Sequence, residues 1–484
     1  MTYLTKSRVI THRQCPKRLW LQIYRKDLIP EVDIATQARF DEGNLVGEIA
    51  RQLHPEGLFI DTLNMDKALN LTQAAMANKQ VIFEAAFYEQ DVLIRADLLL
   101  PTSAGYEVIE IKSSTTVKDY HLEDASVQAW VMQQAGYKPS IVSIGYINNQ
   151  FVYQGDGNYH ELFSFEDISE EVDSRLEGVT EWVQEAKGTL SLKQEPDILS
   201  GPQCDKPFAC EFQSYCSPPD ESIEHQIHIL PNAKKIIEKL SDEGFKDLRN
   251  VPVERLENPK HIRMHQSIIK NEAILEEAAI QGIKQLGYPR YYLDFETIAF
   301  AVPIWKGTRP YVQLPFQWSC HIEFINGEIQ HQEFLDISGH DPRSEFAKSL
   351  VAVLGNEGPI VVYNAGFEGA RIKELAVEFP EMQNRLLALI PRLYDLLPLA
   401  RANYYHPDMK GSWSIKAVIP TIAPELDYSN LEVGNGTEAQ DAYRMAINPN
   451  TSSEDKLKTQ AEMLKYCAQD TFAILKIVQK WGNE

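Results

Sequence analysis

The chain has 484 residues, too many for one hydrophobic core and close to three domains at ~150 residues each. Hydrophobic residues make up 44% and charged residues 24%, a globular balance that excludes wholesale disorder. With 47 Lys+Arg against 69 Asp+Glu, the formal net charge is −22. That excludes a protein that coats nucleic acid through unspecific positive charge, but not an enzyme that meets phosphates through metal ions and local basic patches. No run approaches ~18 consecutive apolar residues, so no membrane span is expected. The first 26 residues hold seven Lys/Arg and no acid, without the apolar core of a secretory signal, so the cytoplasm is the expected compartment. Six cysteines are too few for a disulfide scaffold.

In chain order, the first 217 residues read as mixed α/β. Strand-like runs rich in β-branched and aromatic residues cover Val81–Phe87, Val92–Leu99, Tyr106–Ile111 and Ile141–Ile147, with helical spacing over Asp124–Ala135 and Glu170–Ala186. The breaker cluster Ser217-Pro218-Pro219-Asp220 ends a first domain, 1–220. Residues 221–287 read as a mostly helical, polar joining segment with basic positions at Lys260, His261, Arg263, His265 and Lys270. A second α/β domain, 288–484, follows, with strands near Tyr291–Phe295, Gln317–Phe324 and Ile360–Tyr363. It ends in a long helix that a capping box at Thr451-x-x-Glu454 opens.

Three constellations carry chemistry. The first is a β-hairpin, Val92–Leu100 and Tyr106–Lys112. Glu110 and Lys112 are two apart on a strand and share a face. If residues 101–106 form the loop, Leu100 pairs with Glu107 and Asp97 lies across from Glu110; a one-residue slip would send the two carboxylates to opposite faces. Adjacent carboxylates hold a hard divalent cation, and a neighbouring Lys can orient or deprotonate water. An isolated Glu-x-Lys also fits a strand with solvated charges. Glu84, on the preceding strand, is either a further ligand or one more solvated acid.

The second constellation is Cys204-x₅-Cys210-x₅-Cys216 with Cys15 far upstream. Three thiolates leave a tetrahedral site one short, and Cys15 could complete it, stapling the two ends of the domain. Cys320 and Cys467 fall within strand and helix patterns and read as core.

The third lies in the second domain. Asp294 and Glu296 share one face of an apolar strand, which does not normally carry two carboxylates unless a cation binds there. Glu368 follows in the first turn of a helix after Val361-Val-Tyr-Asn364, and Tyr466 and Asp470 lie four apart on the last helix, reaching one spot. The stretch Val302-Pro-Ile-Trp305 with Pro310-Tyr311 reads either as a platform for stacking bases or as a packed insertion.

These residues resemble two nuclease families. The first domain resembles the PD-(D/E)XK nucleases, in particular the RecB-like branch with an iron–sulfur cluster. In that resemblance Asp97 is the motif II aspartate, Glu110 and Lys112 the (D/E)xK pair, and Gln128 the extra glutamine on the following helix. Met132 stands where that branch usually has Tyr, and Gly43-x-x-x-Gly47 has glycine where a metal-binding His is usual. One distant Cys with a C-terminal trio is the pattern of those nucleases and implies a [4Fe-4S] cluster on Cys15, Cys204, Cys210 and Cys216. The x₅/x₅ spacing departs from the usual x₂/x₅ and leaves Zn²⁺ open. The second domain resembles the DEDD, DnaQ-like 3′–5′ exonucleases of the RNase H-like fold, in the subtype in which Tyr aligns the nucleophilic water. Asp294, Glu296, Glu368 (where the family has Asp) and Asp470 would hold two Mg²⁺ or Mn²⁺ ions, with Tyr466 beside them. Asp395 and Ser414-Ile-Lys416 agree with that family locally.

The pairing resembles a bacterial family that fuses the two folds. It implies a metal-dependent nuclease acting on DNA, or alternatively on RNA, in repair or antiviral defence. A P-loop is absent, so a helicase or similar partner would supply any unwinding. The other reading is a nucleic-acid-binding scaffold with one live site or none.

Overall fold

The computed structural model describes residues 3–218, 223–426, 428 and 431–484; Pro219 and Asp220 of the breaker cluster, with the 220/221 boundary, lie outside them. The chain is mixed α/β and forms two compact units, one of residues 1–219 and Phe300–Tyr311, the other of 220–299 and 312–484. Two differences from the sequence reading follow. Residues 221–287 join the second unit instead of standing apart as a linker. Residues 300–311 join the first unit, although the sequence on both sides of them belongs to the second.

In the first unit, the strands β1 (Leu4–Thr5), β2 (Leu58–Phe59), β3 (Ile82–Glu89), β4 (Val92–Thr102), β5 (Gly105–Lys112), β6 (Ile141–Ile147) and β7 (Phe163–Asp167) form one sheet. Its order is β2-β3-β4-β5-β6-β7, with β1 parallel to the start of β4. β3, β4 and β5 are antiparallel neighbours, and β6 joins β5 in parallel through the helix Asp119–Gln134. Alternation along β4 sends Val92, Ile94 and Ala96 into the core and leaves Leu93, Arg95 and Asp97 on the opposite face. The hairpin turn is tighter than expected: Pro101 pairs with Tyr106 and Thr102 with Gly105. Pairs are thereby added without a slip, and Leu100 still opposes Glu107. The stretch around Trp305 is a packed insertion: Ala301 and Val302 are buried with Val46, Ile49, Phe151 and Phe163, and Trp305 is also buried.

In the second unit, β8 (Ile274–Leu275) pairs with β14 (Tyr404–Tyr405), apart from a mixed sheet ordered β11-β10-β9-β12-β13. Its strands are β9 (Arg290–Ile298), β10 (Leu314–Glu323), β11 (Ile329–Leu335), β12 (Ile360–Val362) and β13 (Leu393–Asp395). β9, β10 and β11 are antiparallel, while β12 is parallel to both β9 and β13. β9 is covered on both faces, as its apolar composition requires. Tyr291, Leu293 and Phe295 pack with Phe346 and Ile372, whereas Tyr292 belongs with Ile474 and Val478 of the last helix, Ser453–Gly482. The period of two therefore turns Asp294 and Glu296 toward the last helix's side of the sheet. That helix is capped one residue later than expected, with the Ser452 hydroxyl accepting from the Asp455 amide at 3.1 Å.

Candidate functional site

Each unit gathers its own set of charged groups. In the first, continuing the hairpin register by one residue sets Asp97 across from Glu110. Asp97 accepts a hydrogen bond from the Ile111 amide at 2.8 Å. Lys112 donates to Glu110 Oε1 at 2.7 Å and to Asp124 Oδ2 at 2.6 Å. Gln128, buried on the helix Asp119–Gln134, donates to Glu110 Oε2. Asp97, Glu110, Lys112 and Gln128 thus meet at one end of the hairpin.

Two further partners were not legible in the sequence. Lys6, first residue of the helix Lys6–Gln14, lies 2.6 Å from Glu110 Oε1 and 3.4 Å from Asp124. Asp124 bridges the two lysines. A cavity of about 300 Å³ opens beside the carboxylates, lined by Glu84, Asp97 and Glu110 and by Gly43, Asn44 and Gly47. Gly43 and Gly47 sit on the helix Ile34–Gln52, so this helix borders the cavity through two glycines and Asn44, with no His. Glu84 also borders it and has a positive φ of 55°, an uncommon state for a non-glycine residue. Met132 is fully buried in the core.

The electrostatics of this set are those of a self-neutralised cluster. Burial works to raise the Glu110 carboxyl, but the ammonium groups of Lys112 and Lys6 outweigh it and hold it well below the usual range. Burial works to lower Lys112, yet Glu110, Asp124 and Asp97 hold it above its ordinary value. Asp97 is pushed up to about 8 by burial and by the charge of Glu110.

The four cysteines Cys15, Cys204, Cys210 and Cys216 line one small cavity. Cys15 interrupts two helices, with Pro16 opening the second. The two ends of the unit are held together around it. Gln14 donates to the carbonyls of Gln203 and Phe208 at 2.8 and 2.7 Å, and Arg18 pairs with Glu211 at 2.7 Å. Four cysteine sulfurs so gathered suit zinc or an iron–sulfur cluster, either of which would bind them as thiolates. Among the described residues, no three of these sulfurs lie within 4.8 Å of one another; a single tetrahedral zinc would need edges of ~3.8 Å.

In the second unit Asp294 and Glu296 project from β9, and Tyr466, Cys467 and Asp470 come from the last helix. Glu368 stands in the first turn of the helix Ala365–Glu378. Asp395 caps the helix Leu396–Asn403 by accepting from Leu397, and its other oxygen accepts from Ala365 at 3.0 Å. It is thus a support for the turn that presents Glu368. Lys416 donates to the Tyr466 hydroxyl at 3.2 Å, and the Tyr428 hydroxyl donates to Asp470 at 2.5 Å. Glu368 is 2% exposed and its Oε2 has no partner, although a buried carboxylate oxygen ordinarily has one.

The carboxyls of Asp294, Glu296, Glu368 and Asp470 are all raised, in contrast with Glu110. Burial comes first in each case. Asp294 is raised well above its ordinary value by burial and by the charges of Asp470, Glu296 and Glu368. Glu296 and Glu368 are each pushed up to about 8. Asp470 is also raised, even though Tyr428, Lys416 and Tyr466 oppose the shift. Like charges so crowded favour either bound protons or bound cations. Oxygen ligands of this kind, with one left unpartnered, fit Mg²⁺ or Mn²⁺. One reading of the sequence needs correction: Cys467 is buried, but it is more than core. Its sulfur and one carboxylate oxygen each of Asp294 and Glu296 lie within 4.8 Å of one another, a group able to hold a metal ion. Cys320 is core, packed with Leu293 and Leu350.

Residues 291–414 match the family described as Domain of unknown function (DUF2779). The matched stretch holds Asp294, Glu296, Glu368 and Asp395 and ends before Tyr466 and Asp470. An uncharacterized protein of Ureaplasma parvum serovar 3 is 29% identical over 197 residues, 36% of this chain and 28% of that protein. Uncharacterized proteins of Mycoplasma pneumoniae and Mycoplasma genitalium are 27% and 25% identical, over 40% and 39% of this chain and 32% and 31% of theirs. The matches therefore span less than a third of these relatives' own length. Among the described residues, no helix is long and apolar enough to cross a membrane.

Proposed function

We propose that the protein is a metal-dependent nuclease that hydrolyses phosphodiester bonds of nucleic acid, DNA in preference to RNA. Its 3′–5′ exonuclease centre is the carboxylate set of the second unit, on an RNase H-like fold of DEDD type. The observation that carries this reading is the convergence of Asp294, Glu296, Glu368 and Asp470, with Glu368 Oε2 buried and unpartnered. Two Mg²⁺ or Mn²⁺ ions held by those acids would supply Lewis-acid stabilisation of the phosphate and an acidified water.

The chain's own groups orient the reactants. Tyr466 is held far above the ordinary phenol range by burial and the neighbouring acids, so it stays neutral and positions water by hydrogen bonding, not as a base. Lys416 fixes its hydroxyl and adds positive charge beside Glu296 and Asp470.

The PD-(D/E)XK reading of the first unit is supported by Asp97, Glu110, Lys112 and Gln128 meeting at the hairpin end. Cys15, Cys204, Cys210 and Cys216, which line one small cavity, are assigned to a [4Fe-4S] cluster in preference to Zn²⁺ on the pattern of one distant Cys with a C-terminal trio. A cytoplasmic role in repair or antiviral defence beside a helicase partner fits both sites. A second reading has its own observation: both oxygens of Glu110 are already engaged by Lys6, Lys112 and Gln128. In it, the first unit only grips nucleic acid and the second cuts.

The test is end-labelled single- and double-stranded DNA and RNA with Mg²⁺ or Mn²⁺, comparing the wild type with Lys112→Ala, Asp294→Ala and the double variant. No cleavage of any substrate by anaerobically purified wild type would overturn the nuclease reading. Loss of all cutting in Asp294→Ala, with none in Lys112→Ala, would favour the gripping role for the first unit. Iron and zinc assays with visible absorbance decide the cysteine site; iron that Cys15→Ser does not lose would refute the four-ligand set.

A further inference from the structure

We infer that the carboxylate centre of the second unit contains a thiophilic subsite, in which Cys467 joins Asp294 and Glu296 to bind a soft divalent ion such as Zn²⁺ or Cd²⁺. The inference rests on the metal-centre part of the reading above and extends it to which ions the centre prefers.

Three observations carry it. The Cys467 sulfur and one oxygen from each acid form a tripod whose atoms lie within 4.8 Å of one another. A four-coordinate ion at ~2.0–2.3 Å from oxygen and sulfur needs edges of ~3.3–3.8 Å, so closure by at most ~1.5 Å brings these three to ligand spacing and leaves the fourth position to water or substrate. Second, Cys467 is fully buried against Asp294, its thiol donating to that residue's carbonyl oxygen at 3.9 Å, and a bound soft ion would displace the thiol proton. Third, a point independent of the cysteine indicates a cation here: Glu368, 2% exposed, shares the electrostatic neighbourhood of Asp294 and Glu296 and leaves Oε2 without a partner.

Ligand softness then separates two classes of ion. Mg²⁺ and Mn²⁺ take oxygens and gain little from sulfur, whereas Zn²⁺ and Cd²⁺ gain strongly from a thiolate. A soft ion drawn toward Cys467 uses Asp294 and Glu296, the same acids the hard ions need. Zinc is therefore a competitor at this centre, and the ion that occupies it depends on the local supply of soft metal.

The experiment measures Cd²⁺ and Mn²⁺ affinity of the full chain, with its four-cysteine site in the same loading state throughout. Wild type, Cys467→Ser and Cys467→Ala are titrated against a chromophoric chelator for Cd²⁺ and by electron paramagnetic resonance for Mn²⁺. Cd²⁺ affinity at this centre is expected to fall by about tenfold or more in both variants, with loss of one thiolate-to-cadmium charge-transfer contribution, while Mn²⁺ affinity moves far less. Retained Mn²⁺ binding doubles as the folding control. Equal Cd²⁺ affinity in wild type and a Mn²⁺-competent variant overturns the subsite. A chain that binds Cd²⁺ through Cys467 yet cleaves no nucleic acid overturns the nuclease reading alone; one that cleaves, with Cd²⁺ affinity indifferent to Cys467, overturns the subsite alone.

Discussion

The two charged clusters are built from the same residue types and reach opposite electrostatic states. In the first unit Glu110 sits between two ammonium groups at 2.6 and 2.7 Å, and its carboxyl is held low. In the second, Asp294, Glu296, Glu368 and Asp470 crowd together, Lys416 opposes the shift of Glu296 and Asp470, and all four carboxyls are still raised. The lesson is that a carboxylate's neighbours, not its motif, decide what it can still bind. The second cluster sets one lysine, Lys416, against four acids and is suited to recruit metal. The first already carries its counter-charge, and a metal there must compete with Lys6 and Lys112.

This contrast can be broken at several points. The largest effect is expected at Asp294→Ala, which removes a ligand from the charge-poor centre and should lower 3′-end nucleotide release by about 10³-fold or more; residual activity near wild type in a steady-state assay would contradict it. Next comes Glu110→Gln, which removes the negative charge shared by two partly buried lysines while leaving them Asp124, and should destabilise the protein by about 2 kcal/mol in urea titration. Tyr466→Phe keeps the ring but removes the hydroxyl that Lys416 holds. It should lower kcat by about 10²-fold, with KM and Mn²⁺ affinity little changed. The smallest effect has the opposite sign to Glu110→Gln. Asp294→Asn relieves like-charge crowding and should stabilise the metal-free protein by about 1 kcal/mol.

The pH dependence sharpens the same contrast. Glu296 and Glu368, pushed up to about 8, hold their protons more tightly folded than unfolded. Their contribution to stability is therefore full below the ordinary carboxyl range and is lost as pH rises through about 8. The metal-free protein should lose Tm between about pH 6 and pH 9, and Mn²⁺ should restore more of it at the upper end, where protons no longer compete. Glu110, shifted down, is ionised throughout that window and adds no slope to it. Asp97 of the first unit, also raised to about 8, adds a slope of the same sign, which Asp97→Asn would remove. A flat Tm profile in the absence of metal would remove the basis for calling the second cluster charge-poor.

Local chemistry made part of this legible. Alternation along β4 and β5 placed Asp97, Glu110 and Lys112 on one face, and the register survived a tighter turn because Thr102 and Gly105 simply added a pair. The i, i+2 acids of β9 and the i, i+4 pair Tyr466 and Asp470 rest on the same kind of regularity. Lys6 was not legible, since its partner lies 104 residues away and a basic N-terminal stretch looks solvated. Cys467 was hidden by its helix pattern; burial is what the pattern encodes, and the acids beside it come from another element. Residues 300–311 carry aromatic and proline residues that suit stacking or packing equally, and nothing local assigns Ala301 and Val302 to the core of the first unit.

The most direct test of the central claim is nucleotide release from a 3′-labelled DNA strand in Mn²⁺ by the wild type and by Asp470→Ala. Stepwise release by the wild type, lost in the variant while its Tm without metal is unchanged or raised, is the predicted result. Release that is equal in both, or absent from both, would contradict a metal-dependent exonuclease centre built on these four acids.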